Sequence, residues 1–377
     1  MQLLQRLCTH IYKHQRHYVK KHRANFKPNM SSNKRLVHQE ILRYVNPFAR
    51  INVNSDIFVR IQPADVHQYT SGDVFISQLC GGPVKNSNVS LDVKVADDDK
   101  EVSVVVKKLT EQPTSFECVL HVPVRSDVCA VGKGNVRVEG IQSELLRVKA
   151  EGGILTKNVK ATNISLYSEN GNINCMGTLL GKVTEIETHN GNIIMDKLQG
   201  DSLTASTKSG SIVTDCCYVE ESKFQTETGR LELKNVHKTS QVHVHDSADL
   251  SMTGVHGNLQ VVTKGGSLNI QLSELVGHNK IDAQNLTDEA VIYISQTIEQ
   301  DLNIDVGASV VSLDTELEHL AHALSKDKSR FLLSNENQHK LMVSSTGQKG
   351  VRLGKQSWSD MMRQKLQNIS TKPSSSS

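Results

Sequence analysis

Residues 164–182 read ISLYSENGNINCMGTLLGK, residues 183–202 read VTEIETHNGNIIMDKLQGDS, and residues 203–223 read LTASTKSGSIVTDCCYVEESK. Each segment runs apolar-x-apolar-x-Ser/Thr, then a turn, then Gly-x-Ile followed by further apolar residues. Working outward, Val136, Ile154, Ile173, Ile193, Ile212, Leu231, Leu250 and Leu268 recur at intervals of 18, 19, 20, 19, 19, 19 and 18 residues. A glycine stands two residues before most of them, at Gly134, Gly152, Gly171, Gly191, Gly210, Gly229 and Gly266. Alternation with period two marks strands with one buried face. A repeat of about 19 residues marks a solenoid. Asn170-Gly171 and Asn190-Gly191 read as turn pairs, because both residue types tolerate positive φ.

The reading is therefore all-β: a single β-solenoid of stacked coils with a β-strand N-terminal entry or cap and a short helix near the C-terminus. Each unit is expected to hold two or three strands of three to five residues. One unit alone buries too few aliphatics to offset the entropy of ordering its backbone, so the units must stack and share their apolar faces. Stacking puts like on like. Ser168, Thr188, Thr207, Thr226 and Thr263 form one expected ladder, and Asn172, Asn192 and Ser211 another. The unit centred on Ala248 departs from the pattern: its turn glycine is alanine, and Val242 and Val244 are one residue out of phase with Phe224. A bulge or wider corner is expected there, and a similar slip occurs at Gly152-Gly153.

The rest of the chain is read as flanks of this array. Residues 1–40 form a basic presequence, cleaved or disordered. Residues 41–131 form the β cap and entry strands, residues 132–312 the coils, residues 313–366 a C-terminal cap of helix and strands, and residues 367–377 a disordered serine-rich tail. Within the entry, Asp97-Asp98-Asp99 is a solvated hairpin tip that lacks the spaced ligands of a calcium loop. In the C-terminal cap, Leu317, Leu320 and Leu324 share a helical face with Asp314 as N-cap. Ser357 and Asp360 cap a final helix carrying Trp358.

The net charge of +3 conceals two regions. Nine basic residues and no acidic ones precede Glu40; the remaining 34 basic against 40 acidic residues leave a body of about −6. That body disfavours nucleic acid as a partner. No apolar run reaches the length of a membrane span. Leu3, Leu4, Leu7 and Ile11 share a helical face ahead of Arg16, Lys20, Lys21 and Arg23. This fits a mitochondrial presequence, with the matrix as expected address and the cytoplasm as the alternative. Arg16-His17-Tyr18 resembles a matrix-peptidase site. The seven cysteines (Cys8, Cys80, Cys118, Cys129, Cys175, Cys216 and Cys217) are odd in number and contain no CxxC, which favours a reducing compartment. Alternation puts one of Cys216 and Cys217 inside and one outside.

Candidate chemistry is sparse. Asp196 and Asp215 fall at the same place in successive coils, and stacking would set them about 5 Å apart, near the carboxylate spacing of retaining glycosidases. Lys234 in the next coil offers Asp215 a simple ion pair instead. His243 and His245 face one side of a strand, flanked by His237 and His256, a set that would suit zinc. Ser-His-Asp, phosphate-loop and dinucleotide patterns are absent. No catalytic, cofactor-binding or metal-binding residue is assigned, and no cofactor is expected.

Val119–Val136, VLHVPVRSDVCAVGKGNV, resembles the entry segment of the putative-adhesin β-solenoid domains of bacterial proteins. Val122-Pro123 precedes Gly134-Asn135-Val136, and Gly171-Asn172-Ile173, Gly191-Asn192-Ile193 and Gly210-Ser211-Ile212 follow. That likeness covers about residues 85–310. With its presequence and the closing Gly354-Lys355-Gln356-Ser357-Trp358, the whole chain is similar to the animal proteins called family with sequence similarity 185. The resemblance implies one β-solenoid and mitochondrial residence, with no activity and no catalytic residues. The expected function is a non-enzymatic scaffold that offers a polar face to an unidentified protein partner. The alternatives are a carbohydrate- or polymer-acting enzyme using the carboxylate pair, and a histidine-based metal-binding module. The oligomeric state is left open.

Overall fold

A computed structural model describes residues 36–81, 88–111, 115–295, 302–336 and 338–356. The basic stretch 1–35 with Arg16-His17-Tyr18, the segment from Ser357 with Trp358 and Asp360, and the serine tail lie outside the described residues.

The strands fall into three groups. The first is β1 (Leu36–Tyr44), β2 (Arg50–Ser55), β3 (Phe58–Pro63), β4 (Val74–Cys80), β5 (Val89–Val95), β6 (Glu101–Lys108), β7 (Glu117–Val122), β8 (Asp127–Gly132) and β9 (Val136–Glu139). The second is β10 (Gln142–Ala150), β11 (Ile154–Ser168), β12 (Ile173–Asn190), β13 (Ile193–Ser209) and β14 (Ile212–Thr263). The third is β15 (Leu268–Leu275), β16 (His278–Ala283), β17 (Ala290–Ile294), β18 (Asn303–Gly307), β19 (Val311–Leu313), β20 (Arg330–Leu333), β21 (Lys340–Ser345) and β22 (Val351–Lys355).

The molecule is the expected all-β solenoid. Parallel, in-register pairing carries the central coils: Val136 pairs with Ile154, Ile154 with Ile173, Ile173 with Ile193, and Ile193 with Ile212. All five are at most 1% exposed, so they form one buried column. The strands are longer than the three to five residues expected. β12 has 18 residues and β14 has 52, because pairing with the neighbouring coil continues round the corners.

At the two Asn-Gly turns glycine has a different cause from the one the pairs suggest, although Gly229 and Gly266 do take positive φ, 130° and 91°. Gly171, Gly191 and the asparagines before them do not have positive φ. Instead the turns nest: a Cβ on Gly191 would strike the Gly171 carbonyl oxygen, one on Gly210 would strike that of Gly191, and one on Gly229 that of Gly210. Ala248 occupies this column under Gly266 and is 3% exposed. Ser222 and Ser240 hydroxyls meet at 2.9 Å across a spacing of 18 residues, so the phase shift of Val242 and Val244 is absorbed before Ser240 and recovered in a wider turn ahead of Ala248.

Both polar ladders exist. Ser168 pairs with Thr188, Thr188 with Thr207, and Thr207 with Thr226, all buried. Their hydroxyls donate to turn carbonyls, Thr188 to Gly171 at 3.0 Å and Thr207 to Gly191 at 3.0 Å. Thr263 belongs to the same column but follows Val244, whose carbonyl accepts from Lys264 N–H. In the second ladder, the Asn172 side-chain oxygen accepts from Asn192 N–H (2.8 Å) and that of Asn192 accepts from Ser211 N–H (2.7 Å). Each such bond contributes about 0.5–1.5 kcal/mol net, and an unmade buried partner costs more.

The chain ends depart from the expected order. β2 and β3 form a full coil between the β6–β7 coil and the β8–β9 coil. The stack therefore begins well before residue 132. At the other end, β21 and β22 lie between the β16–β17 coil and the β18–β19 coil. Antiparallel strands then close both ends: β5 on β6, the β1–β4–β7 set, and β20 on β18. β1 starts at Leu36, so the last five residues assigned to a presequence (36–40) are a strand paired with Cys80 to Ser77. The expected helix is a 3-10 helix, Thr315–Ala323, with Leu317 and Leu320 buried. Asp314 gives it no side-chain cap and instead takes a hydrogen bond from Arg352 Nε.

Gly191→Ala is expected to destabilise the protein by roughly 3 kcal/mol, the upper range for forcing atoms into a packed site. Gly307→Ala, where a Cβ meets nothing within 4 Å, should change stability by under ~0.5 kcal/mol. Urea midpoints of the two variants check both values.

Candidate functional site

The residues singled out from sequence fall on the coils between Ile193 and Leu275, in neighbouring columns in which Asp196 is buried and Asp215, Lys234, Tyr218, His237 and His256 are half-buried. One column runs Asp196, Asp215, Lys234. The flanking pairs Met195–Thr214 and Lys197–Cys216 place Asp196 directly over Asp215. The two carboxylates are used in opposite directions. Asp196 Oδ2 accepts from Gly177 N–H at 2.9 Å, in the coil before it. Asp215 Oδ1 meets Lys234 Nζ at 3.3 Å, in the coil after it. Lys234 Nζ also meets Glu232 Oε1 at 2.9 Å. Burial opposes the Lys234 charge, but Glu232 and Asp215 outweigh it, and the ammonium pKa is raised. A glycosidase pair needs one carboxyl held protonated beside a free carboxylate; here one is tied to a backbone N–H and the other to an ammonium.

The tie to Gly177 follows from the local backbone. Asn158, Gly177, Asn235 and Gly254 have φ between 49° and 70°. The ladder slips at three of these corners, at 157–159, 175–178 and 253–255. A corner of this kind turns a backbone N–H out of the ladder, and a side chain from an adjoining coil receives it: Asn158 takes Thr178 N–H (3.2 Å), Asp196 takes Gly177 N–H, and Gln271 takes Gly254 N–H (2.9 Å). Asp196 thus serves the corner.

The second column holds rings. Tyr218 stacks on His237 with centroids 4.4 Å apart, and His237 stacks on His256 at 4.8 Å with planes 3° apart. That spacing is the distance between neighbouring strands. His256 Nδ1 lies 3.9 Å from Glu274 Oε2. Burial, then His256 and Lys238, push the His237 pKa down to about 4. Burial also lowers His256, with Glu274 working against it. His243 and His245 form a separate pair on their own strand, 6.2 Å apart. The parallel His237 and His256 rings hold their lone pairs side by side, whereas tetrahedral zinc needs them to converge. Among the described residues no three His, Cys, Asp or Glu side chains converge on a metal site. Tyr218, His237 and His256 are 19 residues apart, and that interval is the signal that puts them in one column; nearness in sequence to His243 does not find it.

The cysteines behave as packing. Cys118, Cys175 and Cys217 are buried, with thiol pKa values pushed up to about 12 by burial, and Cys216 is half-buried. The expected in-and-out split of Cys216 and Cys217 is present.

Residues 180–346 match the model of the family described as Toastrack DUF4097. Among solved structures, the chain is similar to a "putative adhesin" from Parabacteroides merdae ATCC 43184, with 11% identity, 85% of this chain and 97% of that one covered, and a TM-score of 0.40. A second, from Parabacteroides distasonis ATCC 8503, gives 11% identity, 85% and 98% coverage, and 0.39. A third, from Bacteroides fragilis NCTC 9343, gives 13% identity, 65% and 98% coverage, and 0.38.

Because the folded state holds His237 neutral down to about pH 4 while the unfolded chain protonates it near 6.5, stability is lost as pH falls through that window. His237→Tyr keeps a ring in the stack. It should shrink the loss between pH 6.5 and 4 by about 1–2 kcal/mol, a figure discounted for the partial exposure of the ring; guanidinium melts at both pH values measure it. Equimolar Zn2+ should move Tm by under ~1 °C. A rise of several degrees that His237→Ala and His256→Ala both abolish would contradict the stacked-ring account. Residues 180–346, which match the Toastrack DUF4097 model, are part of a longer stack, and in-register parallel coils continue ahead of them.

Proposed function

We propose that this chain is a non-enzymatic β-solenoid scaffold whose in-register polar faces dock a protein partner in the mitochondrial matrix. The observation that carries the reading is the fate of the polar and aromatic side chains that looked chemical. Asp196, Asp215, Lys234, Tyr218, His237 and His256 each hold one coil to the next. A face so organised is rigid and regular, which suits recognition by an extended partner. The hollows at Lys280, Asp305, Arg330 and Met342 and at Phe48, Arg50, Lys100 and Glu101 are lined by none of these residues.

The address rests on sequence. The acid-free basic stretch before Glu40, its Leu3, Leu4, Leu7 and Ile11 face, and the Arg16-His17-Tyr18 site support import, with cytoplasmic residence as the alternative. The likeness to the animal proteins called family with sequence similarity 185 points the same way.

Proximity labelling with a tagged full-length chain, and with one lacking residues 2–35, tests address and partner together. The cut stops at residue 35 because β1 begins at Leu36. Full-length protein is expected to label matrix proteins with one dominant neighbour, and the truncated one to label cytosolic proteins. Identical cytosolic neighbours for both would overturn the mitochondrial reading.

A further inference from the structure

The two ends of the stack are finished differently. At the C-terminal end the outer strands are short, three residues in β19 and four in β20, and the 3-10 helix packs against both. At the N-terminal end β5 has seven residues, and its one pairing among the described strands is with β6.

Hydrogen-bond parity shows which β5 groups are open. Ala96 N–H donates to Glu101 O (2.9 Å), and Leu109 N–H donates to Asn88 O (2.7 Å). Bonded and non-bonded pairs alternate in an antiparallel ladder. Ser90, Asp92 and Lys94 therefore bond to β6, and Val89, Leu91, Val93 and Val95 turn N–H and C=O away from it. The side chains of Leu91, Val93 and Val95 are half-buried against the core edge, while Ser90, Asp92 and Lys94 are exposed on the other face. β5 is thus an open edge with an apolar underside.

We infer that β5 is the seam of a two-fold dimer, in which β5 of a second copy of this chain pairs antiparallel about Val93. Open groups at odd positions allow a central axis on Leu91, Asp92 or Val93. An axis on Asp92 sets that carboxylate against itself. An axis on Leu91 sets Asp92 against Ser90 and leaves Lys94 opposite Asn88. An axis on Val93 sets Asp92 against Lys94 of the second copy and Lys94 against its Asp92. Both fall in non-hydrogen-bonded pairs, where cross-strand side chains lie closest. The same register sets Leu91 beside Val95 and extends the apolar underside across the seam. In the single chain Lys94 Nζ is 3.5 Å from Asp92 of its own strand, with both side chains mostly exposed. Charges on an edge strand ordinarily deter pairing; here their order is self-complementary.

Sedimentation velocity of the full chain from about 1 to 100 µM tests the seam, a range suited to a small interface. The wild type is expected to pass from monomer to dimer. Lys94→Asp and Asp92→Lys should each weaken association at least ~10-fold, since each sets like charges opposite one another twice per dimer. An equimolar mixture of the two variants should recover association as a heterodimer, because one strand then carries two lysines and the other two aspartates. Both side chains are exposed, so at about 1 µM, where the wild type is monomeric, each variant should keep the wild-type Tm. A wild type that stays monomeric, a dimer that neither variant weakens, or variants that fail to rescue each other would overturn the proposal. Pairing of wild-type β5 only with added peptides or other proteins would also overturn it. The seam and the partner-docking reading can fail independently, because capture of a partner on the solenoid faces does not require β5.

Discussion

Each coil of this protein lies on the next with its backbone in parallel register, and almost every other feature follows from that contact. The register puts Ile173, Ile193 and Ile212 in one dry column. It brings the turns so close that glycine is required for space at Gly191 and Gly210. It also determines which polar residues are usable. A buried hydroxyl or amide is tolerable only where a neighbouring coil supplies its partner, and the Thr188–Thr207 and Asn172–Asn192 ladders do so.

The same contact explains why the surface resembles a set of active-site fragments. Stacking turns one residue per coil into a line of neighbours about 4.8 Å apart, so acids meet acids and rings meet rings by geometry. Asp196 above Asp215 and His237 beside His256 are such meetings. Their chemistry is settled by the next partner along: Gly177 N–H, Lys234 and Tyr218 each convert a suggestive pair into a cross-coil tie.

The central fold was legible because one residue class per position repeated every 18 to 20 residues, and parallel stacking preserves that order from sequence into space. The ends were not legible for the same reason. β2–β3 and β21–β22 enter between coils that are consecutive in the chain, and a linear period carries no sign of such an insertion. Local propensity placed helical spacing at Leu317 and Leu320 correctly but missed the tighter 3-10 form, and it gave Asp314 to a cap when Arg352 claims the carboxylate. The candidate site was half legible. The residues were visible, and the column joining Tyr218 to His237 needed the repeat length in place of proximity along the chain.

A double-mutant cycle probes the register most directly. Ile173→Ala and Ile193→Ala, which pair across one coil interface, should show a coupling energy of about 0.5–3 kcal/mol in urea unfolding. Ile173→Ala and Leu250→Ala, several coils apart, should add within ~0.5 kcal/mol. Additive behaviour for the first pair, or equal coupling in both, would contradict a stack built on in-register neighbours.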